Sequence, residues 1–345
     1  MISVIVTCYN NEAYIKECLD SIRTQTLPPM EIICVEDCST DTTMAILRTY
    51  LERYPKSIRI IEHQTNQGIG VARNTGLQAC RGDYVSFVDS DDFIHPNFLA
   101  ELYKNIKTFN AEIAYSRTLN TVDANHASLA WLQTCLLPSA SSHGLIHKSH
   151  MKIAAWSCLT KRSFWQNKIG QFPTLRYAED TLPFLKRTVL ATKTCFVSEA
   201  IYYYRDNSTS LTNTYHCLQR EQCMIQVYHH CYEFLRQELA EQTKAAFCYY
   251  VSNHPHLLNK PALSRFVADH PELTAADFKP WMDAIEHRRV FERYHPQIGY
   301  LQHKGIKRLL TLIRYGTVKQ LKTWLQPQRF RSQTTVVDAE SNQLN

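Results

Sequence analysis

The chain has 345 residues, 44% of them apolar, and a formal charge of +6. That apolar share can fill a sizeable core and excludes global disorder, while so modest a charge gives no case for a nucleic-acid partner. No apolar run approaches the roughly 18 residues that a membrane span requires.

The length allows two domains, or one with a large appendage. The run Ile2–Val6 follows Met1 with no basic leader or cleavage site, so a cytosolic protein is expected. The 12 cysteines include no C-x-x-C pair. Cys8 and Cys34 fall inside apolar runs, as free buried thiols in a reducing compartment do.

In chain order, Ile2–Val6 is β-branched and reads as a buried strand. A helical pattern follows through Tyr14, Ile15, Cys18, Leu19 and Ile22, and Pro28-Pro29 stops it. Glu31–Val35 is the second strand and ends in the polar stretch Glu36–Asp41. A helix carrying Met44, Ile46, Leu47 and Leu51 runs to about Pro55, and Ser57–Glu62 is the third strand. A helix opens at Asn66-Gln-Gly-Ile-Gly70 and continues through Ala72, Leu77 and Ala79. The strand Tyr84–Val88 closes the series. Such alternation predicts a parallel sheet covered by helices on both faces, with ligands beyond the carboxyl ends of the strands. Thr7–Glu12, Glu36–Asp41 and Asp89–Asp92 all lie at those ends. Gly68-x-Gly70 is not a dinucleotide fingerprint: the third glycine would fall at Arg73, and the loop follows the third strand, not the first.

The fourth strand empties into Asp89, Ser90, Asp91 and Asp92. Close carboxylates repel one another, and a hard divalent cation that also takes phosphate oxygens removes that cost. A polar turn capping the next helix at His95-Pro96 is the alternative, although one cap needs one acidic or hydroxyl residue.

Four ordered stretches carry a resemblance: Val4-Ile-Val-Thr-Cys-Tyr-Asn10, Val35-Glu-Asp-Cys-Ser-Thr-Asp41, Asn66-Gln-Gly68 with Ala72-Arg-Asn-Thr-Gly76, and Phe87-Val-Asp-Ser-Asp-Asp92. Together they resemble family 2 glycosyltransferases of the GT-A fold, a Rossmann-like nucleotide-binding sheet flanked by helices. The resemblance implies inverting transfer of a sugar from a nucleotide-diphosphate sugar with Mg2+ or Mn2+. Thr7 replaces the family's usual Pro, and Cys38 its usual Gly. A required positive φ at position 38 would be strained.

By the resemblance, Asp37 accepts the uracil N3–H of a UDP-sugar, while Thr7, Tyr9, Asn10 and Glu12 hold base and ribose. Gly68, Arg73 and Asn74 form the floor under the nucleotide. Asp89 and Ser90 meet the donor, and Asp89 and Asp91 are the Asp-x-Asp metal pair. From residue types alone, Tyr9 could instead be a core aromatic, and Arg73 could merely bridge helix to sheet.

Downstream, Ala111–Tyr115 reads as a strand, and 120–150 as an insertion whose His126, His143, His147 and His150 lack metal-ligand spacing. Ala154–Trp165 resembles the family's wall of the sugar site, placing Trp156 against the donor. Glu179-Asp180 resembles its catalytic pair, with Asp180 as base; alternatively the two complement a helix N-terminus. Tyr202–Leu211 resembles the closing segment, with Arg205 over the diphosphate. The resemblance spans about residues 2–212, divided into a donor half, 1–105, and an acceptor half, 106–212.

Residues 213–345 read as helical, broken by Pro255, Pro261, Pro271 and Pro280. Within 304–325 an apolar stripe ending in Trp324 lies beside Lys304, Lys307, Arg308, Lys319 and Lys322. An anionic membrane surface or the domain itself would suit it equally. The tail after Gln326 reads as disordered. The expected acceptor is a saccharide or lipid-linked saccharide of a bacterial surface polysaccharide. The rival readings are a sugar nucleotidyltransferase, which would need a Gly-rich basic loop after the first strand, and a non-catalytic nucleotide-sugar-binding or membrane scaffold.

Overall fold

In the computed structural model, residues 1–121, 154–205, 217–253, 259–274 and 276–278 are described. The first strand, β1 (Ile2–Cys8), is buried along its whole length, as is β2 (Glu31–Glu36). A strand buried on both faces needs a continuous apolar run, and both have one. Helix α1 (Ile15–Arg23) buries Ile15, Cys18, Leu19 and Ile22 at helical spacing. Each large aliphatic among them contributes roughly 1.5–3 kcal/mol of burial. Helix α2 (Thr43–Arg53), β3 (Ile58–Glu62), α3 (Ile69–Ala79) and β4 (Tyr84–Asp89) complete the alternation. Helix α3 lies directly on the sheet: a Cβ at Gly76 would stand 2.4 Å from Ile5 Cγ2.

The remaining elements are β5 (Phe93–Ile94), α4 (Phe98–Thr108), β6 (Ile113–Thr121), β7 (Cys158–Lys161), α5 (Thr181–Leu190), β8 (Thr194–Arg205), α6 (Cys217–Leu239), α7 (Thr243–Asn253) and α8 (Lys260–Ala268). The sheet has eight strands in the order β3-β2-β1-β4-β7-β6-β8-β5. The four strands β3-β2-β1-β4 pair in parallel, as the alternation predicts. Beyond β4 the pairing is mixed. β7 runs antiparallel to both β4 and β6, β8 parallel to β6, and β5 antiparallel to β8. The regular alternation that places each strand parallel beside an earlier one ends at β4, which β5 follows after a short turn.

Two apolar clusters result. The larger joins the sheet to α1–α4 and to Trp156, Trp165 and Phe172. The second gathers Leu175, Phe184 and Leu185 with residues of α6, α7 and α8. The helical texture read in the C-terminal region is therefore present as far as the structure is described. Pro261 starts α8 rather than breaking it: Asn259 caps the helix by accepting the Ala262 N–H, with the proline in the first turn. Among the described residues no helix is long and apolar enough to cross a membrane. The segment 304–325, the tail and the four histidines of 126–150 lie outside the described residues.

Candidate active site

Parallel pairing sets the ends of β1, β2 and β4 side by side, with Thr7 in register with Val35 and Asp89. The three polar loops leaving them are stitched together. Asn10, at φ 51, accepts the Thr40 N–H on its side-chain oxygen, and its own N–H donates to Ser39 Oγ. Glu12 takes the Thr42 N–H and hydroxyl, holding the start of α2. Asn11 donates from Nδ2 to the buried Ser90 Oγ. Tyr9 is not a core aromatic: its side chain is exposed on the rim.

Asp37 is buried, and its carboxylate receives the Gln67 and Gly68 N–H groups and His63 Nδ1. It thereby fixes the loop entering α3, and its charge faces that helix's N-terminus. Arg176 grips the same loop from the far side through the Asn66 side chain and carbonyl. Its Cδ would stand 3.2 Å from a Cβ on Gly68, which has φ 93. Cys38 does adopt the left-handed conformation that glycine would favour, with φ 63. Glu36 holds it there by accepting the N–H groups of both Cys38 and Ser39. Such a conformation costs a non-glycine residue about 1–2 kcal/mol. The Gly-to-Cys departure thus changes the side chain and leaves the turn.

Arg73, on α3, is the centre of the arrangement. Its guanidinium is 2% exposed, donates to Asp89 Oδ1 at 2.8 Å, and also binds Glu179 Oε1. The ring of Phe172 lies against it. Burial alone would lower its pKa, but Asp89, Glu179 and Asp180 together raise it, so it stays charged. In its neighbour Asn74 both ends of the amide bond the backbone of Phe172, at 2.9 and 2.8 Å. Helix α3 and the loop before α5 approach closely, and a Cβ on Gly70 would sit 2.7 Å from the Pro173 carbonyl oxygen.

That loop turns at Ala178, φ 56, and delivers Glu179 and Asp180 to the start of α5. Asp180 stands at the position preceding α5, and its carboxylate makes no capping hydrogen bond there. Its pKa is pushed up to about 7, by burial first and then by the charge of Glu179, with Arg73 opposing.

The acidic turn after β4 is held from beneath by Tyr202, which the sequence placed in the closing segment without a role of its own. Its hydroxyl donates to Asp92 Oδ2 at 2.7 Å and accepts the Asp89 N–H at 3.1 Å. Burial, then Asp91 and Asp89, push Asp92 up to about 8. Trp156 stacks between Tyr202 and Tyr204, at 4.5 and 5.2 Å. It is buried as a support for the turn. Arg205 lies over Tyr14 and Phe93, binds Glu17 Oε2, donates Nε–H to the Asp91 carbonyl, and gives its backbone N–H to Asp92. No cluster of three His, Cys, Asp or Glu side chains among the described residues forms a protein-only metal cage. Asp89 and Asp91 supply hard oxygen donors of the kind that suit a cation shared with phosphate and water.

Residues 3–133 match the family model described as Glycosyl transferase family 2. EpsH of Bacillus subtilis is 29% identical over 223 residues, 62% of this chain and 63% of that protein, so the chain spans slightly less than two-thirds of its length. The uncharacterized glycosyltransferase EpsJ of the same organism is 30% identical over 249 residues, 67% of this chain and 70% of EpsJ. Among solved structures, Staphylococcus aureus TarS 1–349 in complex with UDP-GlcNAc matches with a TM-score of 0.55 at 19% identity. That alignment covers 83% of this chain and 91% of the other, and shows that the fold is shared. The sequence match to EpsJ, the family model over the N-terminal strands and the GT-A fold agree: the chain belongs to glycosyl transferase family 2.

Proposed function

We propose that the chain is an inverting, divalent-metal-dependent glycosyltransferase that moves a hexose or N-acetylhexosamine from a UDP-sugar to a saccharide acceptor in surface-glycan synthesis. The observation that carries this reading is the fork of Arg73, which ties the donor-side carboxylate Asp89 to Glu179, the residue beside Asp180. One side chain thus sets a base next to a diphosphate-binding turn, the arrangement a direct displacement requires.

Asp89 and Asp91 are the residues that would hold Mg2+ or Mn2+, whose chemistry is to neutralise charge on the departing diphosphate. Tyr9 offers an exposed ring face to the base. Asp180, poised at about 7, takes the proton from the acceptor hydroxyl as it attacks the anomeric carbon. Inversion follows because one attack from the face opposite the leaving group occurs with no enzyme-bound sugar. The apolar and basic stretch 304–325 would keep the enzyme at an anionic membrane surface, near a lipid-linked acceptor.

The test is release of UDP from a panel of UDP-sugars, with and without acceptor extracts. The ionised form of Asp180 is the base, so kcat/KM should rise as pH climbs through about 7 and flatten above it. Asp180→Asn should lower kcat by about 10²–10⁴ and leave UDP affinity unchanged. A near-normal Asp180→Asn beside an inactive Glu179→Gln would move the base to Glu179.

A further inference from the structure

His63 stands one residue past β3, at the same carboxyl end of the sheet as Asp37, and is buried. Its ring is fastened at both nitrogens. Nδ1 lies 2.7 Å from Asp37 Oδ1, and Nε2 lies 3.0 Å from Thr75 Oγ1 on α3. A nitrogen facing a carboxylate oxygen must carry the proton, so Nδ1–H donates to Asp37. With Nδ1–H the donor to Asp37, Nε2 is an acceptor, and the Thr75 hydroxyl holds the ring by giving its one proton to Nε2 rather than to the Val71 carbonyl 3.1 Å away. The His63 backbone N–H donates to the Glu36 carbonyl, which fixes its Cα to β2 as well.

The consequence falls on Asp37. Each carboxylate oxygen offers about two acceptor positions. Oδ1 has both filled, by His63 Nδ1–H and the Gln67 N–H; Oδ2 receives the Gly68 N–H at 2.7 Å and keeps one. Asp37 can therefore take a single further donor. Uracil presents one ring N–H between two carbonyls, which suits a single acceptor. Guanine presents a ring N–H beside an amino group, two parallel donors that a carboxylate with both oxygens open would accept together. Cytosine presents a ring lone pair, which repels the carboxylate.

Given the UDP-sugar reading, we propose that His63 is a positioning residue for base selection. By occupying Asp37 Oδ1 it reduces the carboxylate to one acceptor and closes the pocket to guanine. Thr75 acts through it, by holding the ring.

Titrating the full chain with UDP, CDP and GDP in MgCl2 tests this. Wild type should bind UDP in preference to both others. His63→Leu should reduce the ratio of the GDP to the UDP dissociation constant by about tenfold, the usual worth of one hydrogen bond to a charged group. His63→Asn, whose amide nitrogen reaches the position of Nδ1, should restore the ratio. Thr75→Val, which keeps the shape of α3, should move it in the direction of His63→Leu. If His63→Leu weakens all three nucleotides equally, or if Asn fails to restore the ratio, His63 is only a buried support and the inference is overturned. Should His63→Leu not fold, an unchanged ratio in Thr75→Val overturns it. A wild-type preference for GDP overturns the UDP reading itself, whatever the variants show.

Discussion

Arg73→Met removes the guanidinium and keeps most of the apolar stem. The residue is 2% exposed, and its two partners keep little solvent, 18% for Asp89 and 10% for Glu179. Deleting one member of a buried ion pair strands the other, at about 3–5 kcal/mol. Here one deletion strands two carboxylates, so the upper part of that range is expected. That is a large fraction of a total stability of about 5–15 kcal/mol. Arg73→Lys keeps the charge, but a single ammonium cannot fork between carboxylates on separate loops, so it should recover only part of the loss. Glu179→Gln turns one of the stranded charges into a neutral amide. In the double variant with Arg73→Met, the losses should therefore fall short of additivity by about 1–3 kcal/mol. Urea unfolding followed by far-UV circular dichroism gives the values, provided the slopes stay equal. The reasoning is refuted if Arg73→Met lies within about 1 kcal/mol of wild type, the range of an exposed ion pair.

Two further outcomes follow from the proposed function. Asp91→Asn should abolish transfer while the circular dichroism spectrum stays unchanged, and chelation of the wild-type enzyme should do the same; full activity in excess EDTA would remove the metal from the reaction. Six basic residues in 304–325 attract anionic headgroups by about 1 kcal/mol each. The full chain should therefore co-sediment with anionic liposomes at low salt and release as salt screens the contact. Binding insensitive to salt, or none, would return that segment to the domain surface.

Much of the donor half could be read from the residues, because its signals are local. The aliphatic run Ile2–Val6 and the spacing of Ile15, Cys18, Leu19 and Ile22 each specify one element and the face it buries. The rule that ligands gather at strand ends then placed the three polar loops on one rim. What escaped depends on partners far apart in sequence. β7 lies against β4 across more than 70 positions, and no local pattern encodes an antiparallel neighbour at that range. The resemblance made Asn74 and Trp156 ligand contacts, but could not tell that the Phe172 backbone bonds the one and the rings of Tyr202 and Tyr204 stack on the other. Asp92 and Tyr202 are one hydrogen-bonded unit separated by 110 residues. His63 was within reach: it follows the third strand directly, so the strand-end rule that selected Asp37 would have selected it too.

The two carboxylates on which the proposed function rests are anchored in different apolar clusters. Asp89 ends a strand of the sheet cluster, whereas Asp180 begins α5, whose Phe184 and Leu185 pack among the C-terminal helices. The spacing between Asp89 and Asp180 is therefore a property of the seam between the clusters, and the Arg73 fork is a clasp across that seam. Regions with separate packing open with separate free energies. Heat or denaturant that first loosens the helical cluster would silence the enzyme while the sheet still gave its full spectroscopic signal. Inactivation would then precede melting, and a substrate bridging both sides would bring the two temperatures together.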